Sequence, residues 1–498
     1  MTGLSTKDAA KPKKKANPWV ENIESLVVAV VLALIIRVFV VEAFVIPTGS
    51  MASSLYGNHF EMRCPNCGYR YALGFNPYSS IDPSRVRCPN CGTPDPHIPN
   101  YTPGRPLPGG RSGGDRILVN KVLYRFFSPT RWDPFVFVNP TVSVNDEKPY
   151  KTTYIKRLVG LPGDVLEILR GDIIVDGKVQ RKPPGAQSRL WQHVYDINYV
   201  WKDRAKRPPW KTTGRSWSLD GKRLVVDCPS SSFSWVAYAG LDGSGTVRDH
   251  YGYDQEAPGE FSGPAGSHVV TDLRLSFDFR GTASGRLVLS LACDADDDQA
   301  TIDFAAGTAT LSRSSATLAS VKLADAGIGT LADGAKHHIS FQRLDYLLTL
   351  AIDGAVAVEY DLWSDADYRK LVKVAQEYDR LLGEGRTPDA SEALGGHVRS
   401  GVMIGAAGAT LELTELAIDR DVYYTFKSQK FGEQRERHYA GPWKIPQDCY
   451  FAMGDNSPES LDSRYWPEKG FESWVPADHL IGRGLVIWWH PRRIRLIR

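Results

Sequence analysis

Three features of the sequence predict a mainly β protein entered through one apolar helix. Apolar and polar residues alternate with period two through much of 186–430, an unbroken apolar run joins Leu26 to Ile36, and Cys-Pro-Asn-Cys-Gly occurs twice. The 498 residues allow several domains. With 42% hydrophobic and 23% charged residues, a mostly disordered chain or a multi-pass membrane protein is excluded. Lys and Arg number 60 against 57 Asp and Glu, a balance that argues against a dedicated nucleic-acid binder; no nucleic-acid partner is expected.

The N-terminus carries Lys7, Lys11, Lys13, Lys14 and Lys15 against Asp8 and reads as a disordered cytoplasmic arm over 1–18. From Leu26 to Ile46 only Arg37 and Glu42 interrupt the apolar character. A helix from Trp19 to Val38, with Trp19 at the interface and Arg37 snorkelling, has the ~20 residues a membrane span needs. The segment 19–45 is therefore expected as a single-pass transmembrane helix, with the lysines inside and the rest of the chain outside. A cleaved signal peptide and a buried amphipathic helix compete. The run continues to Pro47 without a small-residue cleavage site, which fits a signal peptide poorly.

Directly after this segment stands Ile46-Pro47-Thr48-Gly49-Ser50-Met51, a serine in a Pro-broken loop. Turn chemistry alone would explain it. No Gly-x-Ser-x-Gly, His-Glu-x-x-His or P-loop motif is present, and no histidine stands in a motif that suggests a base. If Ser50 is a nucleophile, its proton must pass elsewhere. Lys156, in Tyr154-Ile155-Lys156-Arg157-Leu158-Val159-Gly160-Leu161-Pro162-Gly163-Asp164, is the candidate base. A lysine desolvated among apolar strand residues loses its preference for the charged form and can accept a hydroxyl proton. Chemistry alone favours a solvated strand lysine.

Resemblance to a family changes that weighting. Arg37 through Met51, then Gly114-Asp115-Arg116-Ile117-Leu118-Val119-Asn120-Lys121 with Tyr124, then Tyr154–Asp164, then Met453-Gly454-Asp455-Asn456-Ser457 with Ser460-Leu461-Asp462-Ser463-Arg464-Tyr465-Trp466, form four ordered boxes. They resemble bacterial signal peptidase I (leader peptidase), the Ser-Lys membrane protease. The resemblance implies Ser50 as nucleophile, Lys156 as general base and Ser460 as the hydroxyl that orients the lysine amine. It implies an oxyanion hole from the Ser50 N–H and the Thr48 hydroxyl, where the family usually has Ser. Asp462 and Arg464 match a structural ion pair beside the site. The family continues Met-x-Pro-Thr-Leu after its nucleophile, whereas Met51-Ala52-Ser53-Ser54-Leu55 lacks the proline, so a less rigid loop is expected. Met51 is the best candidate for lining a specificity pocket. Catalysis of this type needs no cofactor.

Two segments fall outside the boxes. Cys64-Pro-Asn-Cys67 and Cys88-Pro-Asn-Cys91 suit tetrahedral zinc in a structural ribbon, with two disulfides as the alternative in an extracytoplasmic location. Pro103–Gly114 reads as the linker back to the core. In the second segment, Leu273/Leu275/Phe277/Phe279, Leu287/Leu289/Leu291/Cys293 and Leu411/Leu413 alternate strictly. Leu348/Leu350/Ile352, Asp353-Gly354 and Val356/Val358/Tyr360 form a hairpin with a type I′ signal. These strands imply an antiparallel sandwich that resembles a concanavalin-like or laminin-G-like jelly roll, a lectin-like fold whose ligand would be a glycan or a protein. One helix is expected over Ala366–Leu382. Asp294, Asp296, Asp297 and Asp298 read as a solvated acidic turn, with calcium as the lesser alternative. Cys228, Cys293 and Cys449 read as buried thiols.

The predicted organisation is thus a cytoplasmic arm (1–18), an anchor (19–45), catalytic segments (46–62, 114–185 and 431–498), a zinc ribbon with linker (63–113) and a β-sandwich (186–430). The chain would sit in the cytoplasmic membrane with its catalytic domain on the outer, periplasmic face. Its partners would be the bilayer and preprotein signal peptides with Ala-x-Ala-type sites. The aromatic and basic C-terminus, Trp488-Trp489 to Arg498, suits either a membrane surface or a final strand with a solvated tail. A membrane-anchored scaffold with a vestigial protease core is the alternative.

Overall fold

The computed structural model describes residues 18–497 apart from 77–80, 82, 84–85, 95–96, 99, 103, 106–108, 141–151, 251, 254–267, 294–295, 332–333, 384–399, 429–434, 438 and 490. The basic arm to residue 17, Asp294 and part of the Pro103–Gly114 linker lie outside the described residues. Among the described residues, strands hold 47% and helices 13%, so the mainly β expectation holds.

The segments that carry the four boxes build an eight-stranded antiparallel sheet. Its order is Val41–Val45, Arg116–Asn120, Leu480–Trp489, Pro134–Val138, Thr153–Gly160, Cys449–Met453 and Val475–Pro476, with Arg495–Leu496 pairing onto Leu480–Trp489. Pro134–Val138 is apolar at nearly every position because both its faces are covered. Val136 joins Ile46, Met51, Leu55, Ile117 and Ile487 on one face. Phe135 and Phe137, pointing the other way along the pleat, pack with Leu158, Tyr450 and Trp466. A four-stranded sheet of Lys178–Val179, Asp172–Val175, Val165–Leu169 and Tyr439–Lys444 flanks it.

The N-terminal segment differs from expectation. A helix runs from Pro18 to Ile35, a π-helical turn follows over Ile36–Val40, and Val41–Val45 is a strand paired with Arg116–Asn120. No helix among the described residues is long and apolar enough to cross a membrane. The reason lies in the sequence: Glu21, Asn22 and Glu24 occupy the helix start, leaving an apolar stretch from Leu26 to Ile35. At about 1.5 Å per residue, that stretch covers roughly half of a ~30 Å hydrocarbon core. Residues 41–45 belong to the eight-stranded sheet, not to an anchor.

The alternating segments of 186–430 join in one hydrogen-bonded sheet of thirteen strands instead of two separate sheets. Two 21-residue strands, Leu273–Cys293 and Ser400–Arg420, pair with each other through most of their length and carry the remaining strands on either side. Register shifts at Ser276/Asp278 and Ala283/Arg286 interrupt their ladder. The predicted hairpin forms from Leu347–Ile352 and Ala355–Asp361, with φ of 50° at Asp353 and 82° at Gly354 as a type I′ turn requires. The predicted helix spans Asp365–Gly383. Trp201, Trp210 and Trp217 are buried packing residues. Asp298 is not in a solvated turn: it is fully buried, with Arg313 bonded to both its oxygens at 2.8 and 3.1 Å.

The cysteine unit is built on Arg70–Gly74 paired with His59–Arg63. It shares one apolar core with the thirteen-stranded sheet, in which Phe60, Leu73 and the four cysteines are continuous with Trp201 and Tyr238. The asparagines of the two Cys-Pro-Asn-Cys motifs bolt the two parts together. Asn66 donates to Asp203 at 2.7 Å and accepts from the Lys202 N–H at 2.9 Å, while the Asn90 carbonyl accepts from the Asp196 N–H at 2.8 Å.

Candidate active site

The strand Val41–Val45 delivers the loop that carries Ser50. As it leaves the sheet, the Ile46 N–H donates to the Asp115 carbonyl at 2.9 Å. The chain turns tightly after Ser50, with Ala52 N–H bonded to Gly49 O at 2.9 Å and Leu55 N–H to Met51 O at 2.7 Å. Asp115 also accepts from the Tyr56 N–H at 2.8 Å and pairs with Arg493 at 2.7 Å. The missing proline does not leave this turn loose. Ser54 Oγ donates to Arg189 O at 3.2 Å, and Arg495 donates to Ser54 O at 3.0 Å.

Lys156 sits within Thr153–Gly160, opposite Phe135 on the neighbouring strand. It is 4% exposed, and its Nζ lies 2.6 Å from Ser50 Oγ. Burial is the main influence on the amine and lowers its pKa; the Asp462 carboxylate opposes this and Arg464 adds to it, leaving a value of about 8. The neighbouring Arg157, also fully buried, points away to Asp455.

Asp462 and Arg464 pair at 2.7 Å with no exposure of either side chain. Burial works against the Asp462 charge, but Arg464 and then Lys156 outweigh it and hold the carboxyl below its ordinary range. The Gly454 N–H donates to Asp462 at 2.9 Å, and Arg464 reaches Ser457 Oγ at 2.6 Å. The final box is thereby knitted to itself around Gly454, where a Cβ would lie 2.2 Å from Ser460 Oγ and 2.4 Å from Ser50 O. Ser460 is thus beside Ser50 and buried, but its hydroxyl forms no hydrogen bond to Lys156.

A cleft of about 560 Å³ opens over these groups, lined among others by Thr48, Ser50, Tyr154, Lys156, Phe75 and Tyr253. Among the described residues, none accepts a hydrogen bond from the Ser50 N–H or the Thr48 hydroxyl. Met51 does not line the cleft. It is 1% exposed and packs beneath with Leu55 and Ile117, because the turn after Ser50 directs it into the sheet's core.

Four contributors escaped sequence reasoning. Arg157 and Asp455 stand inside the boxes but show no role until their contact is seen. Asn456 bonds Gly49 O through its side chain at 3.1 Å and Ser50 O through its N–H at 3.1 Å. Tyr253 comes from the large insertion, and no local signal marks it.

The four cysteines converge away from the cleft. Cys64, Cys67, Cys88 and Cys91 are buried, their sulfurs lie within 4.8 Å of one another, and none of them is in a disulfide. Cys64 and Cys91 Sγ are 3.5 Å apart, and Cys67 and Cys88 Sγ 3.7 Å. A disulfide needs about 2.05 Å, whereas tetrahedral zinc with Zn–S of about 2.3 Å has S–S edges of roughly 3.7 Å. The donor set and spacing therefore fit a zinc ion. Each knuckle closes on a glycine, Gly68 and Gly92, with φ of 77° and 67°.

Comparison with known proteins agrees with the core. The family model for signal peptidase, peptidase S26, matches residues 110–210 and 401–489. A probable signal peptidase I-2 of Synechocystis sp. is 27% identical over 181 residues, 36% of this chain and 56% of that protein. A signal peptidase I of Leptolyngbya laminosa is 27% identical over 34% of this chain and 56% of that protein, and one of Rickettsia bellii 29% identical over 35% and 44%. The chain thus spans about half the length of the curated relatives it matches. Among solved structures it is similar to a carbohydrate binding module from Bacillus subtilis (10% identical, TM-score 0.25, 42% of this chain and 95% of that one). It is also similar to a Bacillus subtilis protein of unknown function with a galectin-like fold (11%, 0.27, 46% and 98%). These likenesses are too slight to argue from.

Proposed function

We propose that the chain, which resembles signal peptidase I through its catalytic core, is a serine endopeptidase that removes signal peptides with a Ser50–Lys156 dyad. The observation that carries this reading is the 2.6 Å approach of a buried lysine, its pKa lowered to about 8, to the Ser50 hydroxyl. A neutral Lys156 takes the Ser50 proton as Oγ attacks the scissile carbonyl. The Ser50 N–H and Thr48 hydroxyl would stabilise the developing oxyanion. The ammonium returns its proton to the leaving amine, and water, activated by the same lysine, then cleaves the acyl-enzyme. Asp462 and Arg464 stabilise the final loop, and Ser460 would orient the amine once substrate excludes water.

The reading extends to substrate and setting. Small residues at the first and third positions before the cut would fit shallow apolar subsites. The exposed apolar side chains of the N-terminal helix, Leu26 to Leu34, together with exposed Trp488 and Trp489, would rest in a lipid surface. The four cysteines would hold structural zinc, which folds the unit and takes no part in peptide hydrolysis.

The test is cleavage of a model preprotein by the full chain in liposomes. The parent is expected to cleave, and Ser50→Ala and Lys156→Ala to be inactive while folded. Undiminished cleavage by either variant would refute the dyad; an inactive parent would favour the scaffold.

A further inference from the structure

We infer that Tyr253, supplied by the large insertion, is a positioning residue that fixes the nucleophile loop for catalysis. The inference rests on the Ser-Lys reading above.

The geometry is specific. Gly49, immediately before Ser50, faces the Tyr253 ring so closely that a Cβ on Gly49 would lie 2.2 Å from Cε1 and 3.0 Å from Cζ. The ring cannot retreat. On another side it meets Gly74 of the cysteine unit, where a Cβ would lie 2.3 Å from the same Cε1. Tyr253 also stacks on Tyr56 with centroids 5.4 Å apart and planes at 19°. Its hydroxyl donates to Asn58 O at 3.0 Å, and its carbonyl accepts from the Gly74 N–H at 2.7 Å. The ring is buried and held by ring contact, side chain and backbone together.

Gly49 is therefore fixed twice. Asn456 holds its carbonyl, and Tyr253 blocks movement of its Cα. Ser50 Oγ must keep its 2.6 Å approach to Lys156, and a displacement of about 1 Å at a reacting atom can cost 10²-fold in rate. The glycines at 49 and 74 are explained by this wedge, since any side chain there would collide with the ring. The two noncatalytic parts of the chain thus meet at one residue touching the nucleophile loop. This gives them a role in the active site itself.

The experiment uses the full chain and a model preprotein, with kcat and KM measured separately and unfolding followed thermally. Gly49→Ala is expected to lower kcat about 100-fold by driving the loop off the ring. Tyr253→Ala is expected to lower kcat about 10-fold with KM little changed, and Tyr253→Phe, which keeps the ring, to stay near the parent. The decisive variant is Gly49→Ala/Tyr253→Ala. Removing the ring should restore the double variant to the Tyr253→Ala level, a recovery that general loss of fold would not produce. A double variant as impaired as Gly49→Ala would overturn the inference. So would a Tyr253→Ala protein with raised KM and unchanged kcat, which would make the ring a cleft wall only. Failure of the parent to cleave would instead remove the Ser-Lys reading, so the two failures are distinguishable.

Discussion

Arg157 and Asp455 form a doubly bonded ion pair with no solvent exposure, Nε to Oδ1 at 2.6 Å and Nη2 to Oδ2 at 2.7 Å. Each is the chain neighbour of a site residue, Lys156 and Asn456. The pair therefore ties the strand carrying the lysine to the loop that holds Gly49 and Ser50. Arg157 also donates to Trp132 O at 2.6 Å, which leaves its guanidinium well satisfied. Asp455→Asn strands a buried cation, and loss of one partner of such a pair costs about 3–5 kcal/mol. Urea unfolding should show that loss, with the midpoint falling and the slope unchanged. Arg157→Met/Asp455→Leu should recover part of it, because an apolar pair leaves no buried charge.

On the proposed Ser-Lys reading, Lys156 would set the pH dependence of cleavage. Burial lowers its pKa to about 8, so the neutral amine that can take the Ser50 proton gains population as pH rises through that value. The kcat/KM for preprotein cleavage should climb about tenfold per unit below pH 8 and level off above it. An acidic limb centred near 10.5, the ordinary lysine value, would show that the amine is not desolvated as described.

Local chemistry was legible in the sequence; contacts between distant segments were not. Ser50 and Lys156 stand in short boxes whose residue types carry their own signature. The Asp353-Gly354 hairpin is likewise specified by neighbours. The strand Val41–Val45 was hidden because an apolar run has no period of its own, and only pairing with Arg116–Asn120 decides it. Asp298 reads as solvated until Arg313 and Arg343 are brought to it, the latter 3.4 Å away. Tyr253 lies about two hundred residues from the glycine it touches. Met51 was misplaced because side-chain direction after a tight turn is set by the turn's geometry.

The cysteine unit should make activity sensitive to metal although the chemistry uses none. Gly74, at the end of its strand, bonds and abuts Tyr253, so loosening the unit loosens the wedge on Gly49. Elemental analysis should find about one zinc per chain. Chelation, or Cys88→Ser, should lower both the unfolding temperature and kcat, and returning zinc to the chelated protein should restore both. Absence of zinc with loss of titratable thiols would establish disulfides instead.

Lys182 anchors the large insertion to the Trp132 side of the molecule, and its removal should make stability depend on pH. Its buried amine lies 2.7 Å from both Asp345 and Asp421, and its Nζ is 5.4 Å from the centroid of the Trp132 ring. Burial raises the pKa of both carboxyls, and Lys182 is the cation that opposes this most strongly. Without it, each carboxyl rises further above its unfolded value. A carboxyl shifted that way stabilises the fold only while protonated, and the contribution is lost as pH rises through the folded pKa. Lys182→Met should therefore cost about 3–5 kcal/mol near neutral pH and distinctly less at acidic pH, as the carboxyls become neutral. Thermal unfolding of parent and variant at both pH values decides it. A deficit independent of pH would mean that Asp345 and Asp421 find other cations when Lys182 is gone.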